Sequence, residues 1–521
     1  MNAKQKQKVQ ELFSKWNSII PKSSTDLGHT DAVRHKINLT DEKPFKEQNR
    51  RIPPAIYNEV KERINDMLGI GAIRPSKSPW SSNVVIVRKK DNTIRFCIDF
   101  RKLNLRTKKD AYPIPKIEDT LHMLSGSKYF SKLDLKSGYW QVEMDEDDKE
   151  KTAFQVPGIG FYECNRMPYG LSNAPATFQR LMERCMGDIN LHDCLIYLDD
   201  VIIFSKTIEQ HITRLEKVFQ RLQEYNLKLN PKKCEFFKTK VTYLGHVVSS
   251  EGIQTDPSKV EAVKTWPRPN TVKEVRKFLG FASYYRRFIK DFSSVARPLN
   301  NLLIGHPTKT QKKVKSSIKR APFVWNSEQE DAFQNLKFMM TNAPVLAYAD
   351  YSRPFTVHTD ASTKGLGAVL YQMHNNKERV VAFASRSLKA AERNYPAHKL
   401  EFLALKWAVS ERFHDYLYGS EFTVITDNNP LTYVTTTAKL DATGHRWLAS
   451  LANYNFEIKY RPGKQNADAD GLSRLPKQTL DKSTVNAILV ANLDKTIPCL
   501  NIPETAENNI NQTETIPEVP E

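Results

Sequence analysis

Two adjacent acids stand between two apolar runs in the first half of the chain. Asp199 and Asp200 follow Ile196-Tyr197-Leu198 and precede Val201-Ile202-Ile203. The two runs predict strands that pair through a tight turn. Two carboxylates at such a turn repel each other and lose part of their hydration, and a bound divalent cation relieves both penalties. An Asp-rich hairpin turn without a ligand is the alternative that this short segment leaves open.

A third acid strengthens the metal-site interpretation. Asp134 ends another strand-like segment in apolar surroundings and is followed by Leu135-Lys136-Ser137-Gly138-Tyr139. Phosphoryl transfer requires such a cluster of carboxylates. One cation lowers the pKa of the attacking hydroxyl, and a second cation, about 3.5–4 Å away, stabilises the leaving group. The three acids therefore predict a two-metal site for phosphoryl transfer.

The charge of the chain indicates a polyanionic partner. Its 521 residues, enough for about three or four domains, contain 78 Lys and Arg against 59 Asp and Glu. Residues 264–320 hold 15 cations and two acids, whereas residues 477–521 hold three cations and seven acids. The basic middle predicts contact with nucleic-acid phosphates. A membrane partner is not expected, because no apolar run approaches the roughly 18 residues of a spanning helix.

The hydrophobic pattern predicts alternating helices and strands. A first group of predictions covers a helix within 1–20, an irregular segment over 21–51, a helix over 52–68, a hairpin formed by 84–87 and 94–98, a helix over 272–290 and a linker over 309–320. The second group comprises three strands from residue 355, a long helix over 397–417, a strand that ends at 427 and a last strand over 456–461. The tail after Arg474 has no periodicity and is predicted to be disordered.

Several further segments resemble, in order, the successive motifs of reverse transcriptases. They are Pro79-Trp80-Ser81-Ser82, Arg95-Phe96-Cys97-Ile98-Asp99-Phe100-Arg101-Lys102-Leu103-Asn104, Met167-Pro168-Tyr169-Gly170-Leu171, Asn173-Ala174-Pro175-Ala176-Thr177-Phe178-Gln179 and Tyr243-Leu244-Gly245-His246. The basic helix Phe278–Ile289 is similar in particular to the gypsy class of LTR retrotransposon Pol proteins. The resemblance covers about residues 40–476. It implies an RNA-directed and DNA-directed DNA polymerase with ribonuclease H activity.

The resemblance also implies the fold class, which is multidomain α/β and α+β. A right-hand polymerase with fingers, palm and thumb is expected to precede a ribonuclease H-like α/β domain. The expected divisions are an N-terminal extension (1–51), fingers and palm (52–250), thumb and basic connection (251–349), ribonuclease H domain (350–476) and a disordered acidic tail (477–521).

The family's polymerase residues carry over to matching positions. Asp134, Asp199 and Asp200 would be the catalytic acids, with Asp134 and Asp199 as the principal metal ligands. The nucleotide-binding residues would be Lys89, Arg95, Tyr139, Tyr169 and Gly170. Tyr139 would close the pocket under the sugar and exclude a 2′-hydroxyl, although ordinary core packing is its alternative. Either Lys232 or Lys233 would act near the pyrophosphate.

Contacts to primer and template are expected at a turn and on the basic helix. Leu244, Gly245 and His246 resemble the grip on the primer end. The helix residues expected to bind nucleic acid are Arg276, Lys277, Tyr284, Tyr285, Arg286 and Arg287, because cations contact phosphates without reading sequence and aromatic faces lie against sugars. A solvated helix with a core-facing tyrosine is the alternative.

A second set of acids resembles the ribonuclease H ligands. They are Asp360 and Asp427 at two strand ends, Glu401 on the long helix, and Asp470, which is preferred to Asp468 by its spacing from Gly471-Leu472-Ser473-Arg474. Two departures from relatives occur. Asn428 stands where His is frequent, and no His shortly precedes the last Asp.

The expected cofactor is Mg²⁺, two ions per active site, with Mn²⁺ as a substitute. The expected partners are an RNA template, a DNA primer or product, the RNA/DNA hybrid and dNTPs, and the sequence leaves a monomer and a homodimer both open. The expected location is a cytoplasmic retroelement particle, with the nucleus as an alternative. Without an Asp-Ser/Thr-Gly protease triplet or an integrase zinc module, the chain is interpreted as a processed or truncated part of a polyprotein. The rival hypotheses are an inactive nucleic-acid-binding relic and a related polymerase that makes RNA.

Overall fold

The computed structural model describes residues 2–23, 25–88, 92–306, 322–434 and 440–462. The first elements in chain order are α1 (Ala3–Lys15), β1 (Thr30–His35), α2 (Tyr57–Gly69), β2 (Ile73–Pro75), β3 (Val84–Arg88), β4 (Ile94–Ile98), α3 (Arg101–Arg106), α4 (Ile117–His122), β5 (Tyr129–Asp134), β6 (Val142–Met144), α5 (Glu146–Lys149), β7 (Phe154–Val156), β8 (Gly160–Cys164), α6 (Ala174–Met186), β9 (Cys194–Tyr197), β10 (Asp200–Ser205) and α7 (Ile208–Glu224). The later elements are β11 (Glu235–Lys238), β12 (Lys240–Tyr243), β13 (His246–Ser249), β14 (Gly252–Thr255), α8 (Pro257–Lys264), α9 (Val272–Tyr284), α10 (Phe292–Val295), α11 (Arg297–Asn301), α12 (Ser327–Thr341), β15 (Phe355–Ala361), β16 (Gly365–His374), β17 (Lys377–Ser387), α13 (Ala397–Trp407), α14 (His414–Leu417), β18 (Glu421–Thr426), α15 (Ala442–Leu451) and β19 (Asn455–Tyr460).

The first acidic site is built on a four-stranded sheet in the order β11-β5-β10-β9. The interior of strand β10, residues 201–204, is apolar because both of its faces are covered. Val201 and Ile203 belong to a core shared with α6 and α7. Ile202 and Phe204 belong to a second core, shared with β12 and β13. The continuous apolar run after Asp200 is therefore a strand buried between two layers.

The N-terminal region departs from its prediction in one respect. Strand β1, within the segment predicted to be irregular, pairs in parallel with β6, and Ile37 and Phe45 just beyond it are buried in the main core. The predicted hairpin is confirmed as β3 and β4. The predicted helix within 1–20 is confirmed as α1, where Phe13 packs 5.9 Å from the ring of Phe219 on α7.

The α/β unit predicted from residue 355 is confirmed. Its five-stranded sheet has the order β17-β16-β15-β18-β19, in which β15 to β17 are antiparallel and β15, β18 and β19 are parallel. The predicted long helix is interrupted, because α13 ends at Trp407 and a π-helical turn over Ala408–Arg412 precedes α14. Leu405 and Val424 are among the buried residues that join this helix to the sheet.

The basic helix is shorter than predicted. Helix α9 ends at Tyr284, and a 3₁₀ turn follows over Arg286–Phe288. On its apolar face, the ring of Phe278 packs 4.6 Å from that of Phe333 on α12. The predicted linker over 309–320 lies outside the described residues. Among the helices of the described ranges, none has both the length and the apolar character needed to span a membrane.

A buried polar junction joins the two halves of the chain. His122 at the end of α4 accepts a hydrogen bond from the Ala349 amide at Nδ1 (3.0 Å) and contacts Tyr416 Oη on α14 through Nε2 (3.0 Å). Arg287 lies 3.1 Å from the same Nε2 and donates to the Val381 carbonyl on β17 at 3.3 Å. The palm, the segment after α9 and the second sheet thus share one interior.

Acid should unfold the protein because several buried histidines are neutral. Burial lowers the pKa of His35, His211 and His246 to about 4, and that of His122 to about 3, from an ordinary value of 6.5. The unfolded chain therefore binds these protons at a higher pH than the folded chain. We expect the free energy of unfolding to have its full value above about pH 6.5. It should decrease toward pH 4 by up to about 1.4 kcal/mol per histidine per pH unit.

Urea unfolding midpoints measured between pH 7 and pH 4.5 test this expectation. The variant His211→Gln should reduce the slope of the unfolding free energy against pH by the equivalent of about one bound proton. The same substitution at the exposed His398 should leave that slope unchanged. Midpoints that do not vary over this range would contradict the prediction.

Candidate active sites

The structure brings the first three predicted acids together. Asp134 and Asp200 lie directly opposite each other on the antiparallel strands β5 and β10, and such pairs have Cβ atoms about 4.5–5.5 Å apart on the same face. Asp199 occupies the turn before β10. The preceding Leu198 adopts a left-handed φ of 55°, and its amide donates to Gln179 Oε1 of α6 at 2.7 Å. Gln179 is fully buried and thus holds the turn in place.

Two lysines face this cluster. Lys132 Nζ lies 3.0 Å from Asp200 Oδ1, and Lys233 Nζ lies 3.6 Å from Asp134 Oδ2. Of the two lysines predicted near the site, Lys233 is therefore the one paired with an acid. Neither Lys132 nor Gln179 was assigned a role from the sequence. The position of Lys132 two residues before Asp134, on the same face of one strand, is a signal that could have identified it.

The electrostatics of the turn favour a bound cation. Asp199 is accessible to solvent, yet the surrounding protein removes part of its hydration. This desolvation raises the pKa of Asp199, and the charges of Asp200 and Asp134 raise it further. A cation that these oxygens could coordinate would reverse the penalty.

Tyrosines form a wall beside the acids. The ring of Tyr139 stacks on Tyr169 at 5.0 Å and packs against Phe178 at 5.2 Å. Desolvation and the charge of Asp199 raise the pKa of Tyr139, and they raise that of Tyr169 to about 12. Arg95 is exposed, and its charge lowers the pKa of Tyr169 in part, which places the guanidinium within electrostatic range of this wall. Lys89 lies outside the described residues.

Gly170 continues the same wall. Its φ of 102° lies in the left-handed region that favours glycine, and its carbonyl accepts a hydrogen bond from Asn104 Nδ2 at 2.8 Å. The side-chain oxygen of Asn104 accepts from the amide of Ser172, also at 2.8 Å. Asn104 lies in one of the motifs that resemble reverse transcriptases, but it had no predicted role. Through these two hydrogen bonds it fixes the loop that carries Tyr169 and Gly170.

The predicted primer-end turn is held by the basic helix. Leu244 and Gly245 have φ values of 48° and 71° between β12 and β13. The hydroxyl of Tyr284 donates to the Leu244 carbonyl at 2.5 Å, and that of Tyr285 donates to the Gly245 carbonyl at 2.8 Å. The ring of His246 packs against both tyrosines. The turn and the end of α9 thus form one rigid unit.

This packing corrects part of the predicted nucleic-acid surface. Tyr285 and Arg287 are each 3% exposed and cannot reach a phosphate or a sugar. Arg286 donates to the Ser385 carbonyl of β17 at 2.6 Å, and desolvation lowers its pKa. In the sequence, these arginines and tyrosines have the pattern of a basic surface. In the structure, the segment after α9 that carries them is covered by the second sheet. Tyr284 remains partly exposed while its hydroxyl is bound to the turn.

The two cations earlier on the helix differ in their surroundings. Lys277 is exposed on α9, so that its ammonium group is available to a polyanion. Arg276 is partly covered and donates to the His306 carbonyl, which fixes its guanidinium against the end of the described segment. Lys277 therefore remains the better candidate for a phosphate contact.

Three of the four acids in the second predicted site also meet. Asp360 lies on β15, Asp427 directly follows β18, and Glu401 on α13 accepts a hydrogen bond from the Ala361 amide at Oε1 (3.2 Å). Glu401 is 8% exposed, and its Oε2 has no hydrogen-bond partner. Desolvation and the charges of Asp360 and Asp427 raise its pKa to about 7. Asp468 and Asp470 lie outside the described residues.

Asn428, the position where relatives often have His, is also partly buried. The backbone amide of Asn428 donates to Thr426 Oγ1 at 3.1 Å. The buried side-chain Oδ1 of Asn428 has no hydrogen-bond partner. This acceptor lies one residue after Asp427, at the edge where the three acids meet.

Comparison with known families identifies both parts of the chain. Residues 87–248 match the family "Reverse transcriptase (RNA-dependent DNA polymerase)", and residues 325–424 match "RNase H-like domain found in reverse transcriptase". The chain belongs to the reverse transcriptases of LTR-retrotransposon Pol polyproteins. It is 39% identical over 483 residues to the Pol polyprotein of the Drosophila melanogaster transposon opus, covering 91% of this chain and 48% of the relative. The fission yeast transposon Tf2-3 polyprotein is 33% identical over 90% of this chain and 35% of the relative.

The gypsy class is represented among the relatives. The Drosophila melanogaster transposon gypsy polyprotein is 38% identical over 514 residues, which cover 94% of this chain and 48% of the relative. The reverse transcriptase chain thus spans about half the length of the two Drosophila relatives and about a third of the yeast one. Solved structures support the polymerase–ribonuclease H fold. The foamy viral protease–reverse transcriptase in complex with dsDNA has a TM-score of 0.76 at 22% identity, covering 89% of this chain and 94% of that chain.

The residues of both sites fit divalent cations. Reverse transcriptase and RNase H-like domains generally use divalent metals, and such hard cations prefer carboxylate oxygens. In the part of the chain that the structure describes, no three His, Cys, Asp or Glu side chains already converge on a common metal position. Like charges at short range separate, and Asp134 and Asp200 turn to lysines instead. The buried, unpartnered Oε2 of Glu401 is the observation that fits coordination of a divalent cation.

Removing one charge from the second site should stabilise the metal-free protein. The raised pKa of Glu401 means that stability is lost as pH rises from about 4.5 to 7. In Glu401→Gln the amide is neutral and can donate toward Asp360 or Asp427. At pH 8 in a chelator we expect a gain of about 2–3 kcal/mol, seen as a higher unfolding temperature.

The exposed Glu42→Gln is the matched control and should not change that temperature. Added Mn²⁺ should stabilise the unsubstituted protein more than Glu401→Gln. Equal unfolding temperatures for all three proteins without metal would show that the carboxylate is not under electrostatic strain.

Proposed function

We propose that this chain is an RNA-directed and DNA-directed DNA polymerase that also cleaves the RNA strand of RNA/DNA hybrids. The observation that carries the proposal is the presence of two separate carboxylate clusters at the edges of two different sheets. Asp134, Asp199 and Asp200 form the first, and Asp360, Glu401 and Asp427 form the second. The membership in the reverse transcriptases of Pol polyproteins supports it.

The proposed cofactor is Mg²⁺, two ions per site, with Mn²⁺ as a substitute. When bound, the ions would lower the pKa of the attacking hydroxyl or water and neutralise charge on the leaving oxygen. Asp134, Asp199 and Asp200 would hold them for synthesis. Asp360, Glu401, Asp427 and Asp470 would hold them for cleavage. The chain's own part is to keep these oxygens oriented and partly desolvated.

The residues near the first cluster suit a deoxynucleoside triphosphate. Arg95 offers a planar cation for phosphate oxygens, and the proposed role of Lys89 is the same. Tyr139, held between Tyr169 and Phe178, presents a rigid ring close enough to Asp199 for the acid to shift its pKa. The proposed role of this ring, fixed beside the acids, is to exclude an additional hydroxyl on the sugar.

The proposed partners are an RNA or DNA template, a DNA primer and the RNA/DNA hybrid. The exposed Lys277 and the net positive charge of residues 264–320 favour a phosphate backbone, and the turn at Leu244–Gly245 is held rigidly by two tyrosines. A foamy viral protease–reverse transcriptase with a TM-score of 0.70 was solved in complex with RNA/DNA hybrid. We further propose that the enzyme works in a cytoplasmic retroelement particle, as a homodimer.

A pair of substitutions should separate the two activities. On an RNA template with a DNA primer and Mg²⁺, Asp199→Asn should reduce DNA synthesis by about a hundred-fold or more and spare RNA cleavage. Glu401→Gln should do the reverse. Both products can be followed in one reaction with differently labelled primer and template. If each variant kept both activities, the assignment of the two clusters would be wrong, and an unsubstituted chain without either activity would favour an inactive relic.

The proposed role of Tyr139 is tested by nucleotide choice. Tyr139→Ala should lower the preference for dNTP over rNTP by about 10- to 100-fold, because the ring that excludes the 2′-hydroxyl is removed. Tyr139→Phe keeps the ring and is the matched control, which should retain the preference. Single-turnover incorporation of one nucleotide measures the ratio, and an unchanged ratio in Tyr139→Ala would refute the role.

A further inference from the structure

A segment from the thumb reaches the second carboxylate cluster. After α9, the amide of Ser293 donates to Ser385 Oγ on β17 at 2.9 Å, and Arg286 donates to the Ser385 carbonyl at 2.6 Å. Between these two anchors lies Asp291, with a left-handed φ of 52°. Asp291 was assigned no role from the sequence, because it precedes the residues that match the RNase H-like family, which begin at 325, by 34 residues. Its position is fixed by contacts on both sides.

The sheet register places Asp291 beside Asp360. Ser385 lies opposite Gly367 on the neighbouring strand, and Gly367 lies opposite Asp360. Directly opposite residues in antiparallel strands direct their side chains to the same face, with Cβ atoms about 4.5–5.5 Å apart. A Cβ atom on Gly367 would lie 3.1 Å from Asp291 Oδ1. The Asp291 carboxylate therefore occupies the space that a side chain at position 367 would take, on the face of Asp360.

The charges agree with this placement. Desolvation raises the pKa of Asp360, and the charges of Asp427 and then Asp291 raise it further, whereas Lys290 lowers it. Glu401 approaches the same edge from α13, with its buried Oε2 unpartnered. Four carboxylates thus lie along one edge of the sheet, and the buried Oε2 of Glu401 there has no protein donor. Oxygen atoms in this number and charge are what a divalent cation requires.

We propose that Asp291 supplies an additional carboxylate, from the thumb, to the divalent-cation site of the RNase H-like domain. The inference rests on the proposed cleavage function of that site. A larger residue at position 367 would push the carboxylate away by a few tenths of an ångström. Lys290 offsets part of the added negative charge when no cation is bound. Cleavage, but not synthesis, thereby depends on the thumb segment being docked on β17.

The test uses the full chain and Mn²⁺ itself as the probe. Binding is followed by the loss of the free Mn²⁺ electron paramagnetic resonance signal, and RNA cleavage and DNA synthesis are titrated with Mn²⁺ in the same preparations. In Asp291→Asn, we expect Mn²⁺ binding at the RNase H-like site to weaken by about 10-fold. The half-maximal Mn²⁺ concentration for cleavage should rise by the same factor, and that for synthesis should not change. Asn tolerates a left-handed backbone, so this variant keeps the local conformation.

Two further variants make the result specific. Asp331→Asn removes an exposed carboxylate from α12 and should change neither titration. Gly367→Ala should weaken Mn²⁺ binding by displacing Asp291, and the double variant with Asp291→Asn should be no weaker than Asp291→Asn alone. The proposal is overturned if Asp291→Asn binds Mn²⁺ as the unsubstituted chain does. A chain that binds Mn²⁺ but cleaves no RNA would instead refute the cleavage function, while the Mn²⁺ affinities would still decide the role of Asp291.

Discussion

The palm depends on holding two like charges opposite each other. Asp134 and Asp200 are an in-register pair on adjacent strands, an arrangement that by itself destabilises a sheet. The strands remain paired because β10 is buried on both faces, and because Lys132 and Lys233 lie beside the two acids. Hydrophobic burial some residues away thus offsets the electrostatic cost at the sheet end. The same relation holds for Glu401, which α13 carries into a buried position that its charge disfavours.

The junction around His122 explains how two such sites share one chain. Nδ1 of His122 accepts the Ala349 amide, which leaves Nε2 as the protonated nitrogen that can donate to Tyr416. Arg287 then has the Val381 carbonyl as its acceptor, and its Nε and Nη1 are buried without partners. A buried cation with few acceptors is tolerated only where the surrounding packing is strong. Residues of the palm, thumb and second sheet therefore have to fit together around it.

Local patterns could be predicted from the sequence, and contacts between distant segments could not. The strand-end acids were found because their position depends on neighbouring residues. Strand β1 was missed because its partner, β6, is more than a hundred residues away and supplies no local signal. The tyrosines and arginines after residue 283 have the composition of a nucleic-acid surface, and only the docking of β17 and the turn at Leu244 shows that most of them face protein. Asp291 was missed for the same reason.

The short span of the thumb segment links the two sites geometrically. Tyr284 holds the turn at Leu244, and Asp291 lies seven residues later against Gly367 and Asp360. Seven residues span at most about 25 Å even when fully extended. A movement of α9 that repositions the turn must therefore either carry residues 286–291 with it or strain their anchors on Ser385. Because both anchors are hydrogen bonds to Ser385 on β17, the edge strand of the second sheet, the thumb and the RNase H-like domain should move together.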